Sequence, residues 1–248
     1  MFEQIRLVEI ELFSFCNRTC VFCPNSYIDR LSSNKVLDQG VFEKVIQELK
    51  DIDYSGHISL SRYCEPLSHR EILDPKIAYI REHLPKVTIV ANTNGDYDYE
   101  GVDIDELTVM DYDIKLPKEE LGLYERATKP YLVRKMRLGK LNNRGGALEL
   151  RKKFERDFPC YEPKYFVGID YNGKVVPCCN IRSDVKQHEE VILGDLHKTS
   201  LREIFESKIA NTFRKNVSSR IFSEICLSCS KGPGRYTVND PNIMNKTT

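Results

Sequence analysis

The first apolar pattern on the chain, "LVEIELF", sets Val8, Ile10 and Leu12 against Glu9 and Glu11, and this period of two predicts a strand. "DQGVFEKVIQELKDI" then carries Phe42, Val45, Ile46 and Leu49 on one helical stripe, with Asp38 as its N-cap. Alternation returns in "HISLSRY", which Pro66 stops. "DPKIAYIREHL" reads as a helix with Pro75 in its first turn, and "KVTIVANTNGD" as a third strand closing at Asn94-Gly95. "ELTVMDYDI" and "YLVRKMRLGKL" are weaker strand patterns on either side of the helix-like "KEELGLYERA".

A β-α-β-α-β order followed by two looser strands predicts a parallel sheet covered by helices. A closed eight-stranded barrel takes about 250 residues. Here the pattern changes near residue 141, so the expectation is an open, partial (β/α) barrel. Past "NNRGG", the stretch "KYFVGIDYNGKVVPCC" predicts a hairpin with a type I′ turn at Asn172-Gly173. "SLREIFESKIANTFRKNV" predicts one helix with Ser200 and Glu203 in capping-box spacing and Leu201, Ile204, Phe205 and Ile209 on one stripe. The fold class expected is α/β: a partial, TIM-like (β/α) core over residues 1–150, then a small α+β unit of hairpin and helix over 151–248.

Composition narrows the partners. The 248 residues carry no net formal charge, so no broad attraction to nucleic acid or anionic membrane is implied, and neither is an expected partner. Glu9 and Glu11 interrupt the N-terminal apolar stretch, which argues against a signal peptide, and no apolar run approaches the roughly 20 residues of a membrane helix. A cytoplasmic location follows as the expectation. Thiols there stay reduced, so metal or redox chemistry is the leading use of the nine cysteines.

Cys16, Cys20 and Cys23 lie in "FSFCNRTCVFCPNS" directly after the first strand. Structural zinc wants four closed ligands, and no nearby histidine completes the set. A C-x-x-C redox pair would leave Cys16 idle. Three thiolates can instead hold three irons of a four-iron, four-sulfur cube, leaving one iron open to a small molecule. Cys160, Cys178, Cys226 and Cys229 form a second set, able to close a zinc tetrahedron or to ligate a second cube fully; the residues alone leave both readings standing.

"CNRTCVFC", with aromatic Phe22 before the third cysteine, resembles the signature of radical S-adenosylmethionine (SAM) enzymes. The resemblance implies that SAM chelates the open iron and is cleaved to methionine and a 5′-deoxyadenosyl radical that takes hydrogen from substrate. "YCEPL" stands where this family carries a Gly-Gly-Glu-Pro type motif. That places Tyr63, Cys64 and Glu65 at the cofactor, with Glu65 receiving its amino group. Cys64 departs from the usual glycine and reads equally as a small buried hydrophobe. Asn94 of "NTNG" joins them on the C-terminal rim of the barrel.

The second cysteine set resembles the abbreviated "twitch" form of the SPASM auxiliary-cluster domain, which implies one auxiliary four-iron, four-sulfur cluster. "CNRTC", "CPNS", "EPL", "TNGD" and "NRGG", in this order and spacing, further resemble the radical SAM dehydrogenases of aminocyclitols. That implies oxidation of a secondary alcohol in a sugar-like or cyclitol substrate, with Arg144 at the substrate hydroxyl. A guanidinium is a poor base, so orientation and ketyl stabilisation are its expected roles. Flavodoxin or ferredoxin is the generic electron donor. Two alternatives stay open. Cys179, which strand alternation turns away from Cys178, could donate hydrogen to a substrate radical in an epimerase. A peptide-modifying enzyme ranks third, because the first strand begins by about residue 7 and leaves no room for an N-terminal peptide-binding module.

Overall fold

The computed structural model describes residues 1–124, 129–135, 142–149 and 154–230. Strand β1 (Leu7–Ile10) pairs in parallel with β2 (His57–Ser59), which pairs in parallel with β3 (Thr88–Thr93). Beyond β3 follow β4 (Glu106–Asp111) and β6 (Tyr131–Lys135), still parallel, and β5 (Gly122–Tyr124) closes that edge in antiparallel fashion. On its other side β1 pairs in parallel with β7 (Phe166–Ile169), which continues through antiparallel β8 (Lys174–Val176) and β9 (Gly194–Asp195). The order among the described residues is β5-β6-β4-β3-β2-β1-β7-β8-β9 in one nine-stranded sheet. This open α/β sheet bears out the expected fold class. The proposed division at residue 150 falls between strands of that same sheet.

Helices α1 (Gln39–Asp51) and α2 (Arg70–His83) cross between the first three strands. Asp38 caps α1 by accepting from Val41 N at 3.0 Å, and Phe42, Val45, Ile46 and Leu49 are buried against the sheet. The carboxylates that alternate with the apolar positions of this segment are mostly covered. Glu11 is 1% exposed and its carboxylate bonds Arg30 Nη1 at 3.0 Å, while Glu9 bonds Arg62 Nη1 at 2.8 Å. One face of the strand is covered by helices and the other carries ion pairs beside the cavity, so the alternation marks barrel interior rather than outer surface.

Four expectations are corrected. The "KEELGLYERA" stretch is not a helix where described: a short 3₁₀ turn (Lys118–Glu120) precedes β5, since Pro117 and a left-handed Gly122 interrupt helical winding while β6 offers an edge to pair with. Residues 125–128 and 136–141 of these stretches lie outside the described residues. Helix α2 begins at Arg70, so Pro75 sits in the helix interior and not in its first turn. The β7–β8 connection is not type I′, because only Gly173, at φ 75°, has positive φ. Gly173 N bonds Asp170 O at 2.8 Å and Asp170 N bonds Lys174 O at 2.9 Å, the pattern of a type I turn closed by a glycine bulge.

The final helix is two, α4 (Leu201–Glu206) and α5 (Lys208–Ser218), preceded by the short α3 (Glu162–Tyr165) and followed by α6 (Glu224–Leu227). Ser207 breaks it by leaving helical geometry, ψ 157°, and capping Ala210 N. The break rotates Ile209 out of the buried stripe to 65% exposure. The Ser200–Glu203 capping box is present as expected.

Candidate active site

The thiol loop leaves β1 at its C-terminal end. An isolated antiparallel bridge, Phe13 to Val36, closes its base, with Ser14 N to Lys35 O and Leu37 N to Leu12 O both at 2.8 Å. Side chains from inside the loop then tie it to neighbouring strand ends. Asn17 and Arg18 donate to Asp96 at 2.8 and 2.6 Å, and Asn94 Nδ2 donates to Asn17 Oδ1 at 2.8 Å. Asn25 Nδ2 donates to Tyr63 O at 2.9 Å. Cys16, Cys20 and Cys23 are thus held over the C-terminal rim of the parallel strands.

There they line a cavity of about 1140 Å³, counting its open mouth. Phe22, Tyr63, Cys64, Glu65, Asn94, Arg144 and Cys179 line it too, so residues named from separate stretches of sequence share one site. Phe22 packs on Tyr112 with ring centroids 5.3 Å apart. Cys64 is both a cavity wall and part of the main hydrophobic core. Glu65 is 3% exposed; its oxygens accept from Thr93 Oγ1 at 2.6 Å, Asn94 N at 2.8 Å and Leu67 N at 3.2 Å. Burial raises its pKa against those bonds. A carboxylate has about four acceptor directions, so one remains for a ligand.

Arg144 sits in "NRGG" with φ 50°, followed by Gly145 and Gly146 at φ 61° and 81°. A Cβ on Gly145 would lie 3.1 Å from His188 Nε2 and Ile181 Cδ1, so both the space and the backbone require glycine. This turn aims the Arg144 side chain at the cavity, where Nη1 donates to Asn180 Oδ1 at 3.4 Å and the guanidinium stands 5.7 Å from the Tyr63 ring centroid. Among the described residues no carboxylate forms an ion pair with it. Burial opposes its charge, yet the Tyr63, Cys179 and Cys23 groups around it hold the pKa above the ordinary value.

A second, smaller cavity of about 440 Å³ is lined by Cys160, Cys178, Cys226 and Cys229. Its other walls include Ile181, Val217, Ile225 and Phe213, with three polar residues among them, Arg156, Glu162 and Asn180. Arg156 and Asn180 donate to Cys229 Sγ, at 3.6 and 3.7 Å. Burial pushes Cys16 and Cys226 up to about 11, so each needs a cationic centre to become a thiolate ligand near neutral pH. Among the described residues no three His, Cys, Asp or Glu side chains converge as the ligands of one bare ion would. The thiols instead surround volumes, and soft sulfur donors around a volume suit an iron–sulfur cluster in both places.

An ion-pair network joins the two sides. Arg182, 1% exposed, donates to Asp184 through Nε and Nη2 at 2.8 and 2.7 Å and to Asn25 Oδ1 at 2.8 Å. Its guanidinium also stacks 4.3 Å from the Tyr63 ring centroid. Arg30 meets the same Asp184 at 2.7 Å, and Arg62 pairs with Glu9 and Asp170. Sequence reading missed Arg62, Arg156, Asn180 and Arg182. The stretch "CCNIRSD" offered a signal for two of them, Asn180 and Arg182, as polar side chains directly after the hairpin cysteines.

Comparison with known proteins agrees with this geometry. Residues 160–230 match the SPASM iron–sulfur cluster-binding domain. An S-adenosyl-L-methionine-dependent 2-deoxy-scyllo-inosamine dehydrogenase of Niallia circulans is 25% identical over 243 residues, covering 93% of this chain and 94% of that protein. The crystal structure of BtrN in complex with AdoMet and 2-DOIA superposes with a TM-score of 0.72 at 24% identity, covering 94% and 95% of the two chains. That of anSMEcpe with bound AdoMet gives 0.53 at 11% identity, covering 90% and 87%. The resemblance read from the cysteine motifs is borne out by these matches. No helix among the described residues is long and apolar enough to cross a membrane.

Proposed function

From the premise that the chain is a radical SAM oxidoreductase with a C-terminal SPASM iron–sulfur unit, we propose that it oxidises a secondary alcohol of an aminocyclitol or sugar-like substrate to a ketone. The observation that carries this reading is Arg144: a charged side chain without a carboxylate ion-pair partner among the described residues, in the wall of the cavity lined by the three N-terminal thiols. Cys16, Cys20 and Cys23 would hold a cluster with an open iron, and Cys160, Cys178, Cys226 and Cys229 an auxiliary cluster. Glu65, through its remaining acceptor direction, and Asn94 would receive the amino-acid end of SAM, with Phe22 and Tyr63 as further walls. Residues 1–150 and 151–248 divide these tasks.

Oxidising a carbinol removes a hydrogen atom from carbon, a proton from oxygen and one electron. When bound, SAM on the first cluster supplies the hydrogen-atom acceptor and the auxiliary cluster the one-electron acceptor. Arg144 binds the substrate oxygen through its guanidinium N–H groups and stabilises the negative charge that grows there as the proton leaves to water at the cavity mouth. It remains protonated throughout. Tyr63 and Phe22 shield the site from bulk water. A flavodoxin or ferredoxin supplies reducing electrons.

Incubating the reduced, cluster-loaded enzyme with SAM and a panel of aminocyclitols and sugars in deuterium oxide tests the reading. Substrate-dependent 5′-deoxyadenosine release with an equivalent of ketone supports it. Deuterium fixed on the product carbon without net oxidation overturns it in favour of an epimerase, for which Cys179 in the same cavity is the hydrogen donor to examine.

A further inference from the structure

One side chain in the wall of the smaller cavity bonds a wall residue of each. Asn180, 1% exposed, accepts from Arg144 Nη1 through Oδ1 at 3.4 Å and donates from Nδ2 to Cys229 Sγ at 3.7 Å. Its amide is oriented by these partners, since reversing it would set two donors against Arg144 and an oxygen against sulfur. The same sulfur accepts from Arg156 Nη2 at 3.6 Å. Arg156 is buried, lies 4.5 Å from the Phe158 ring centroid, and its backbone N–H bonds Leu227 O at 2.8 Å, so its guanidinium is held in place. Cys229 therefore receives one neutral and one charge-assisted N–H bond.

We propose that Asn180 is a positioning residue that couples the two cavities: one end of its amide sets Arg144 toward the substrate oxygen, and the other, with Arg156, raises the reduction potential of the cluster held through Cys229. The physical reason is that N–H donors and a nearby cation stabilise the more negative, reduced state of a cluster more than its oxidised state. A raised potential makes that cluster a better acceptor for the electron left on the substrate. The single amide keeps donor geometry and acceptor potential in register.

This inference rests on the proposed function, because it needs a cluster in the smaller cavity. It is tested by redox titration of the full-length enzyme with both clusters loaded, followed by electron paramagnetic resonance. The signal that SAM does not alter is assigned to the C-terminal cluster. Asn180→Leu, close to the same size without polar atoms, should lower that cluster's midpoint by about 59 mV, a tenfold shift in the one-electron equilibrium. It should also raise the ratio of 5′-deoxyadenosine to ketone. Arg156→Lys should lower the midpoint while leaving the Arg144 side intact. An unchanged midpoint in Asn180→Leu, beside an intact cluster, overturns the inference alone. If that variant fails to load, Asn180→Ser decides by the same measurement. A wild-type enzyme whose iron is held only by the N-terminal thiols overturns both this inference and the functional reading.

Discussion

The two sets of thiols are built from the same ligand chemistry and placed in opposite surroundings. Around Cys16, Cys20 and Cys23 the cavity is wide and carries Arg18, Arg62, Arg144, Glu9, Glu65, Asn92 and Asn94. Around Cys160, Cys178, Cys226 and Cys229 it is smaller, walled largely by apolar side chains, with Arg156, Glu162 and Asn180 among them. Three ligands beside many polar groups suit a centre that must accept and orient a second molecule. Four ligands in a smaller, largely apolar pocket suit a centre that only gains and loses an electron. Charged residues are more numerous around the first set, while Arg156 and Glu162 are the charged residues lining the second.

The strongest way to break this comparison is to remove Cys16, Cys20 and Cys23 together as alanines. We expect SAM cleavage to fall to background while about half of the bound iron remains, since the second ligand set is untouched; loss of all iron on elemental analysis would show that the two sites are not independent. Arg144→Ala should come next, lowering ketone formation by about 10²–10³-fold, the cost of losing one preorganised donor, while SAM cleavage persists. Quantifying 5′-deoxyadenosine and ketone in the same reaction checks this.

The junction between the regions should respond through stability rather than chemistry. Asp184→Asn leaves Arg182 and Arg30 without their shared carboxylate, and we expect a loss of about 3–5 kcal/mol in urea denaturation. Burial alone would raise the Asp184 pKa, but the paired guanidinium groups hold it below the usual value. A lowered folded pKa contributes stability above the unfolded value, near about 3.9, and that contribution fades as pH falls through the folded value. The gap between wild type and Asp184→Asn should therefore narrow in acid. Ser200→Ala, far from either cavity, should cost about 1 kcal/mol by loss of its cap and leave turnover unchanged. The smallest effect is expected for Cys179→Ser, whose ketone formation should stay near wild type; loss of turnover would move the assignment toward the epimerase.

Legibility from sequence depended on whether a residue's role is local. The Asp38 cap and the Ser200–Glu203 box each connect groups three residues apart, and both were readable. Ile209 was misassigned because one residue, Ser207, turned from helix interior to N-cap, and the apolar spacing carries no mark of that. The alternation at β1 predicted a strand without showing what its polar positions face, which is Arg62 for Glu9 and Arg30 for Glu11. Period two reports two faces and not what covers them.

By itself the sequence determined the grouping of seven thiols into two sets, the parallel order of the first strands and several walls of the main cavity, because spacing within a loop and periodicity within an element are short-range constraints. Only the tertiary structure decided that Asn180 stands between Arg144 and Cys229, separated from them by 36 and 49 positions, and that Arg182 ties the hairpin to Asn25. Those contacts exist because β7 pairs with β1 and brings the C-terminal unit onto the rim of the core, a long-range choice of strand partner that no local pattern encodes.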